Sequence, residues 1–119
     1  MNIYTSCESV TAGDDIDAPH SHTFSFSEKV SLKEALAEIK RCYLPAIAGG
    51  CATWTVTSNR PVAVIAQQWA EPEILIHLPE ELNALDVRNG VLRLHFNYHG
   101  QLDPQMVVKI FRGFRLHAT

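Results

Sequence analysis

Histidine is the residue type whose spacing first suggests chemistry in this chain. Of its six histidines, His20 and His22 stand two residues apart, and His95 and His99 fall on one face of a predicted strand. Each pair could supply two ligands to zinc, which needs three or four protein ligands. No HExxH or Cys-x-x-Cys motif completes such a set. We expect His95 and His99 to face solvent, His20 and His22 to lie at a loop end, and neither metal nor cofactor to be bound.

The three cysteines, Cys7, Cys42 and Cys51, offer a second kind of chemistry. Cys42 or Cys51 could act as a nucleophile if the fold brought a histidine beside it. Cys42, however, falls in the last turn of a predicted helix, where a free cysteine often behaves as a small buried hydrophobic residue. An odd number of cysteines without an export signal favours reduced thiols in the cytoplasm. We expect no catalytic residue and no enzymatic activity.

Two features bear on phosphate and nucleic-acid binding. Gly49-Gly50 lacks the further glycines of a dinucleotide loop and the lysine of a phosphate loop, which favours a tight turn. The basic residues near the C-terminus could contact phosphates, but the formal net charge of the chain is −3. We expect them to form the solvated face of a helix, with no nucleic-acid or membrane partner. They are Lys109, Arg112, Arg115 and His117.

Acidic residues are concentrated in two parts of the chain that contain no lysine or arginine. The first 20 residues hold four, and the segment from Glu71 to Asp86 holds five. Such carboxylates can accelerate association with a basic protein surface, such as a nuclease active site, or can simply keep the surface soluble. Asp86 is expected to face Arg93, whereas the four glutamates have no evident basic neighbour. The predicted partner-binding residues are Glu71, Glu73, Glu80, Glu81, Asp86, Asp14, Asp15 and Asp17.

Hydrophobic periodicity predicts two helices. The first begins after Ser31, which has the spacing of a capping box with Glu34, and Pro45 should end it near Tyr43. The second begins at Asp103-Pro104, and Gly113 should weaken or end it. The apolar face of the first comprises Leu32, Ala35, Leu36, Ile39 and Tyr43, and that of the second Met106, Val107, Ile110, Phe111 and Phe114.

Alternation of apolar and polar residues predicts strands over residues 22–27, 52–57 and 92–99. Residues 62–69 begin with a run that is apolar on both faces, which predicts a central strand covered on both sides, and residues 2–5 and 74–78 are expected to be short strands. Asn89-Gly90 is the preferred pair for a type I′ hairpin turn, which places Val87 opposite Leu92. Leu92, Leu94 and Phe96 then face the core. Clustered hairpins with two helices predict one α+β domain over residues 1–119. We expect a mainly antiparallel sheet of five to six strands, with both helices packed on one face.

The segment from Tyr43 to Trp69 resembles segments of small bacterial immunity proteins, with the sequence YLPAIAGGCATWTVTSNRPVAVIAQQW. Such proteins accompany polymorphic or contact-dependent growth-inhibition toxins. The resemblance implies a cytoplasmic protein that binds and neutralises one cognate toxin domain, and it carries over no catalytic residue. We therefore expect a protein-binding inhibitor. The alternatives are a small metal- or histidine-dependent enzyme and a non-catalytic, oligomerising scaffold subunit.

Overall fold

A computed structural model describes residues 1–7, 21–45, 47, 49–78 and 80–117, with side chains up to residue 113. The α+β class and the mainly antiparallel sheet are confirmed, with seven strands rather than five or six. The elements are β1 (Asn2–Cys7), β2 (Ser21–Ser25), α1 (Leu32–Tyr43), β3 (Thr53–Thr57), β4 (Pro61–Ala66), β5 (Glu73–Ile74), a single 3₁₀ turn (Leu82–Ala84), β6 (Val87–Arg88), β7 (Val91–Tyr98) and α2 (Pro104–His117).

All seven strands belong to one sheet, whose main order is β2-β1-β7-β3-β4-β5. β7 runs parallel to β1 along one edge, and every other strand pair is antiparallel. Along its other edge β7 has two successive neighbours. β3 pairs with it up to Thr57 and His95, and β6 pairs with it at Leu92 and Val91. The neighbour of β7 therefore changes between Leu92 and His95.

Local signals in the sequence fix several element boundaries. Ser31 caps α1, because its Oγ accepts a hydrogen bond from the backbone N–H of Glu34 at 3.1 Å. Leu44 leaves helical geometry ahead of Pro45, as expected. Asn89 and Gly90 both have positive φ, and Val87 pairs with Leu92, so the predicted hairpin is confirmed.

The two helices cover opposite faces of the sheet, so the expectation of both on one face is wrong. Ile65 and Phe96 belong to the core cluster that contains α1. Val64 instead packs with Val107 and Val108 of α2. Since Val64 and Ile65 are consecutive in β4, their side chains point to opposite faces. The physical reason is that β4 is apolar on both faces and has to be covered from both sides.

The core face of β7 is confirmed, whereas that of α2 differs from the prediction. Leu92, Leu94 and Phe96 are buried. In α2, Met106 and Ile110 are more than half exposed, and the helix continues through Gly113 to His117. The helix is apolar around more than half its circumference, so the sequence pattern fits two faces equally well. The face that meets the sheet comprises Val107, Val108 and Phe111, and Pro104 at the start of the helix is also buried.

Candidate functional site

Four of the five acidic residues in the Glu71–Asp86 segment form ion pairs with lysine or arginine. Three of the four glutamates therefore have basic neighbours, contrary to expectation, because those bases come from α1, α2 and the turn between β3 and β4. The pairs are Glu71 with Lys33 (2.9 Å), Glu73 with Arg112, Glu81 with Arg60 (3.2 Å) and Asp86 with Arg88 (3.0 Å).

Glu80 and Glu81 are adjacent in sequence but have different surroundings. Glu81 Oε2 accepts a hydrogen bond from the backbone N–H of His77 at 2.6 Å, and its side chain is only 17% exposed. Glu81 therefore holds the turn together. Glu80 is exposed, and it forms no ion pair with any residue that the structure describes. Of the four glutamates, Glu80 thus presents the least neutralised carboxylate to a partner.

Both glutamates line an open depression. It has a volume of about 750 Å³ and contains both apolar and acidic side chains. Leu78 beside it is 38% exposed, and Leu82, in the turn that follows, is 42% exposed. An apolar centre with a polar rim is the usual composition of a protein-binding surface. We call this region the Leu78 surface, and it comprises Ile76, His77, Leu78, Glu80, Glu81 and Leu82.

Other predicted partner-binding residues are placed as follows. Asp86 does face Arg93, since the Arg93 N–H donates to the Asp86 carbonyl at 2.9 Å and the side chains approach to 3.9 Å. Glu71 precedes β5 and Glu73 begins it. Neither lines the depression, and they form ion pairs with α1 and α2 respectively. Partner contact by these residues stays a prediction. Asp14, Asp15 and Asp17 lie outside the described residues.

His95 of β7 and His99, which directly follows β7, form hydrogen bonds to neighbouring strands rather than facing solvent. His95 Nδ1 lies 2.7 Å from Ser6 Oγ of β1, and His99 Nε2 lies 2.7 Å from Thr55 Oγ1 of β3. Both side chains are half-buried. Within the described ranges, no group of three or more histidine, cysteine, aspartate or glutamate side chains could hold a metal ion. His20 lies outside those ranges.

The thiol of Cys42 is exposed, contrary to the expectation of a buried cysteine. Its Sγ donates a hydrogen bond to Glu38 Oε1 at 3.3 Å. This bond to a carboxylate raises the pKa of the Cys42 thiol, because it favours the protonated form. A raised pKa disfavours the nucleophilic thiolate that catalysis would require.

Sequence reasoning missed two further features of the surface. A cavity of about 200 Å³ lies on the sheet face opposite α1, and Ser6 and Arg93 are among its lining residues. Leu102, just before α2, and Met106 and Ile110 on α2 are each more than half exposed, at a spacing of four residues. The helical feature was visible in the sequence as a second apolar stripe. The cavity depends on parallel pairing of β1 with β7, for which we found no local signal.

A scan of protein-family models, a search of curated proteins and a search of solved structures found no match to this chain. Within the described part of the chain, neither helix has the length and apolar character needed to cross a membrane.

Proposed function

We propose that the chain is a protein-binding inhibitor of the immunity type, which neutralises a cognate toxin domain such as a nuclease. The observation that carries the proposal is the Leu78 surface. Leu78 at the open depression and Leu82 in the turn that follows are partly exposed, next to the carboxylate of Glu80, which has no ion-pair partner among the described residues. The resemblance of residues 43–69 to immunity proteins supports the same function. The inhibitor needs no catalytic residue, because it acts by covering the toxin.

The Leu78 surface can supply both affinity and orientation. Full burial of an exposed leucine stabilises by about 1.5–3 kcal/mol, so the remaining exposure of Leu78 and Leu82 leaves roughly 1 kcal/mol each to be gained. Glu80 adds a charge at the rim, where it attracts a basic partner during approach. The ion-paired glutamates contribute less to this attraction, because Lys33, Arg60 and Arg112 offset their charge locally.

The shape of the surface favours a protein partner over a small substrate. Two cavities among the described residues, one on each side of the sheet, measure about 160 and 200 Å³, whereas pockets for small organic ligands usually measure about 300–1,000 Å³. The depression at the Leu78 surface is larger but wide open, which suits a convex part of another protein. In this proposal the inhibitor acts in the cytoplasm, where its three free cysteines stay reduced.

The test uses the toxin domain encoded immediately upstream of the gene for this chain. Cells that express that domain should grow only when the chain is co-expressed, and the purified proteins should form a complex with a dissociation constant below about 100 nM. An upstream gene that encodes no toxin domain, or a toxin domain that neither binds the chain nor is neutralised by it, would refute the proposal.

A further inference from the structure

The cavity on the open face of the sheet lies where β7 exchanges one neighbouring strand for another. β3 turns away after Thr57, and Asp86 leads into β6, which leaves a gap beside Arg93 and Leu94. The described side chains of α2 pack on this sheet face against Val64 of β4, and none of them lines the gap. The cavity measures about 200 Å³ and is lined by Tyr4, Ser6, Thr57, Ser58, Asn59, Asp86, Arg93, Leu94 and His95. We call it the Arg93 cavity.

Among the lining residues, Arg93 supplies the guanidinium group, and Asp86 supplies a carboxylate. The guanidinium lies over the Tyr4 ring, 4.8 Å from the ring centroid, which holds the group in place without neutralising it. Among the lining residues Asp86 is the one carboxylate, but its Oδ1 lies 3.0 Å from Arg88 Nε while its Oδ2 lies 3.9 Å from Arg93 Nε. Two guanidinium groups therefore share one carboxylate. Arg93 keeps charge and N–H donors for a ligand.

The pair formed by Ser6 and His95 keeps a donor available in every protonation state. If Ser6 donates to Nδ1 of His95, the opposite ring nitrogen carries a hydrogen. If Nδ1 carries the hydrogen and donates to Ser6, the serine hydroxyl hydrogen is free. In the protonated imidazole, both of these hydrogens are free. The pair can therefore always donate at least one hydrogen bond to an anion in the cavity.

The turn between β3 and β4 contributes a buried donor. Ser58 is 3% exposed, and its Oγ accepts a hydrogen bond from the backbone N–H of Asp86 at 2.8 Å. Its own hydroxyl hydrogen has no acceptor among the described residues. Buried polar groups normally find a partner, so a group of this kind lining a cavity points to a bound acceptor. The side-chain amide of Asn59, next in the turn, can add a further donor.

We propose that the Arg93 cavity binds a phosphate-class oxyanion, either free phosphate or the phosphate group of a small monoester. The planar guanidinium of Arg93 can donate two hydrogen bonds to two oxygens of such a group. The Ser6–His95 pair and the side chains of Ser58 and Asn59 can donate to the remaining oxygens. At ~30 Å³ per water molecule, the cavity holds roughly seven waters, which is room for a phosphate group with little attached to it. This site does not depend on the proposed function.

Titration of inorganic phosphate, and separately of glycerol 3-phosphate, into the full chain tests the proposal by calorimetry and amide NMR. We expect saturable 1:1 binding with a dissociation constant below about 10 mM, and shifts at Ser6, Arg93 and His95. Tighter binding of one probe identifies the source of the phosphate group. Failure of both probes to saturate would overturn the proposal.

Three variants separate a built site from general charge attraction. Arg93→Gln should weaken phosphate binding at least about tenfold, because a charge-assisted pair of hydrogen bonds is lost. Asp86→Asn should strengthen it about threefold or more, because a carboxylate that repels the anion is removed. Arg112→Gln removes an exposed arginine on α2 and should change nothing. The proposal would be overturned if Asp86→Asn bound phosphate more weakly, or if the two arginine variants lost equal amounts of phosphate affinity. Thermal melts check that each variant folds.

Discussion

Neighbouring carboxylates in the acidic segment have different roles, because each meets a different partner in the fold. Glu81 accepts a backbone hydrogen bond and pairs with Arg60, whereas Glu80 beside it stays exposed. The sequence shows only that both are glutamates in a stretch without bases. The partner of Glu81 follows β3 and lies 21 residues away. Roles at this scale therefore depend on tertiary contacts that local spacing does not encode.

This difference predicts unequal effects on stability for two adjacent alanine substitutions. Glu81→Ala should lower the free energy of unfolding by about 1–3 kcal/mol, because the His77 N–H loses its charged acceptor. Glu80→Ala is the matched control and should change it by less than about 0.5 kcal/mol, as is usual for exposed surface residues. Urea denaturation of the two variants and the wild type measures both values. Equal effects of the two substitutions would show that Glu81 does not hold the turn.

At the scale of elements, the sequence predicted those features that depend on a few consecutive residues. Three such features are as predicted: the N-cap of α1 at Ser31, the end of α1 before Pro45, and the turn at Asn89-Gly90. Features that depend on distant partners were not predictable in this way. Parallel pairing of β1 with β7 joins opposite ends of the chain. The face of α2 that packs on the sheet was likewise not predictable, because apolar residues occupy more than one face of that helix.

The packing of α2 predicts which of two adjacent apolar residues stabilises the fold. Val107 is buried against the sheet, while Met106 is 55% exposed. Val107→Ala should lower the free energy of unfolding by roughly 1–3 kcal/mol, since it removes buried methyl groups and leaves a cavity. Met106→Ala should change it by less than about 0.5 kcal/mol. Denaturant titrations distinguish the two, and a larger loss for Met106→Ala would place the other face of α2 against the sheet.

At the scale of the whole molecule, two candidate surfaces flank the turn between β3 and β4. Arg60 of this turn pairs with Glu81 of the Leu78 surface, and Ser58 and Asn59 line the Arg93 cavity. The sequence predicted the Glu71–Asp86 segment as a partner-binding surface, but it could not show which carboxylates the helices would neutralise. It also could not predict the exposure of Leu78 and Leu82, since burial depends on how the segment after β5 lies against the core.

The location of the partner on the Leu78 surface is the central claim, and calorimetric affinity for the upstream-encoded toxin domain tests it most directly. The double variant Leu78→Ser and Leu82→Ser should bind at least about tenfold more weakly than the wild type, because two apolar contacts are lost. Met106→Ser changes an exposed apolar residue of α2 and should bind as the wild type does. Unchanged binding by the double variant, with a loss for Met106→Ser, would contradict the claim and place the partner on α2.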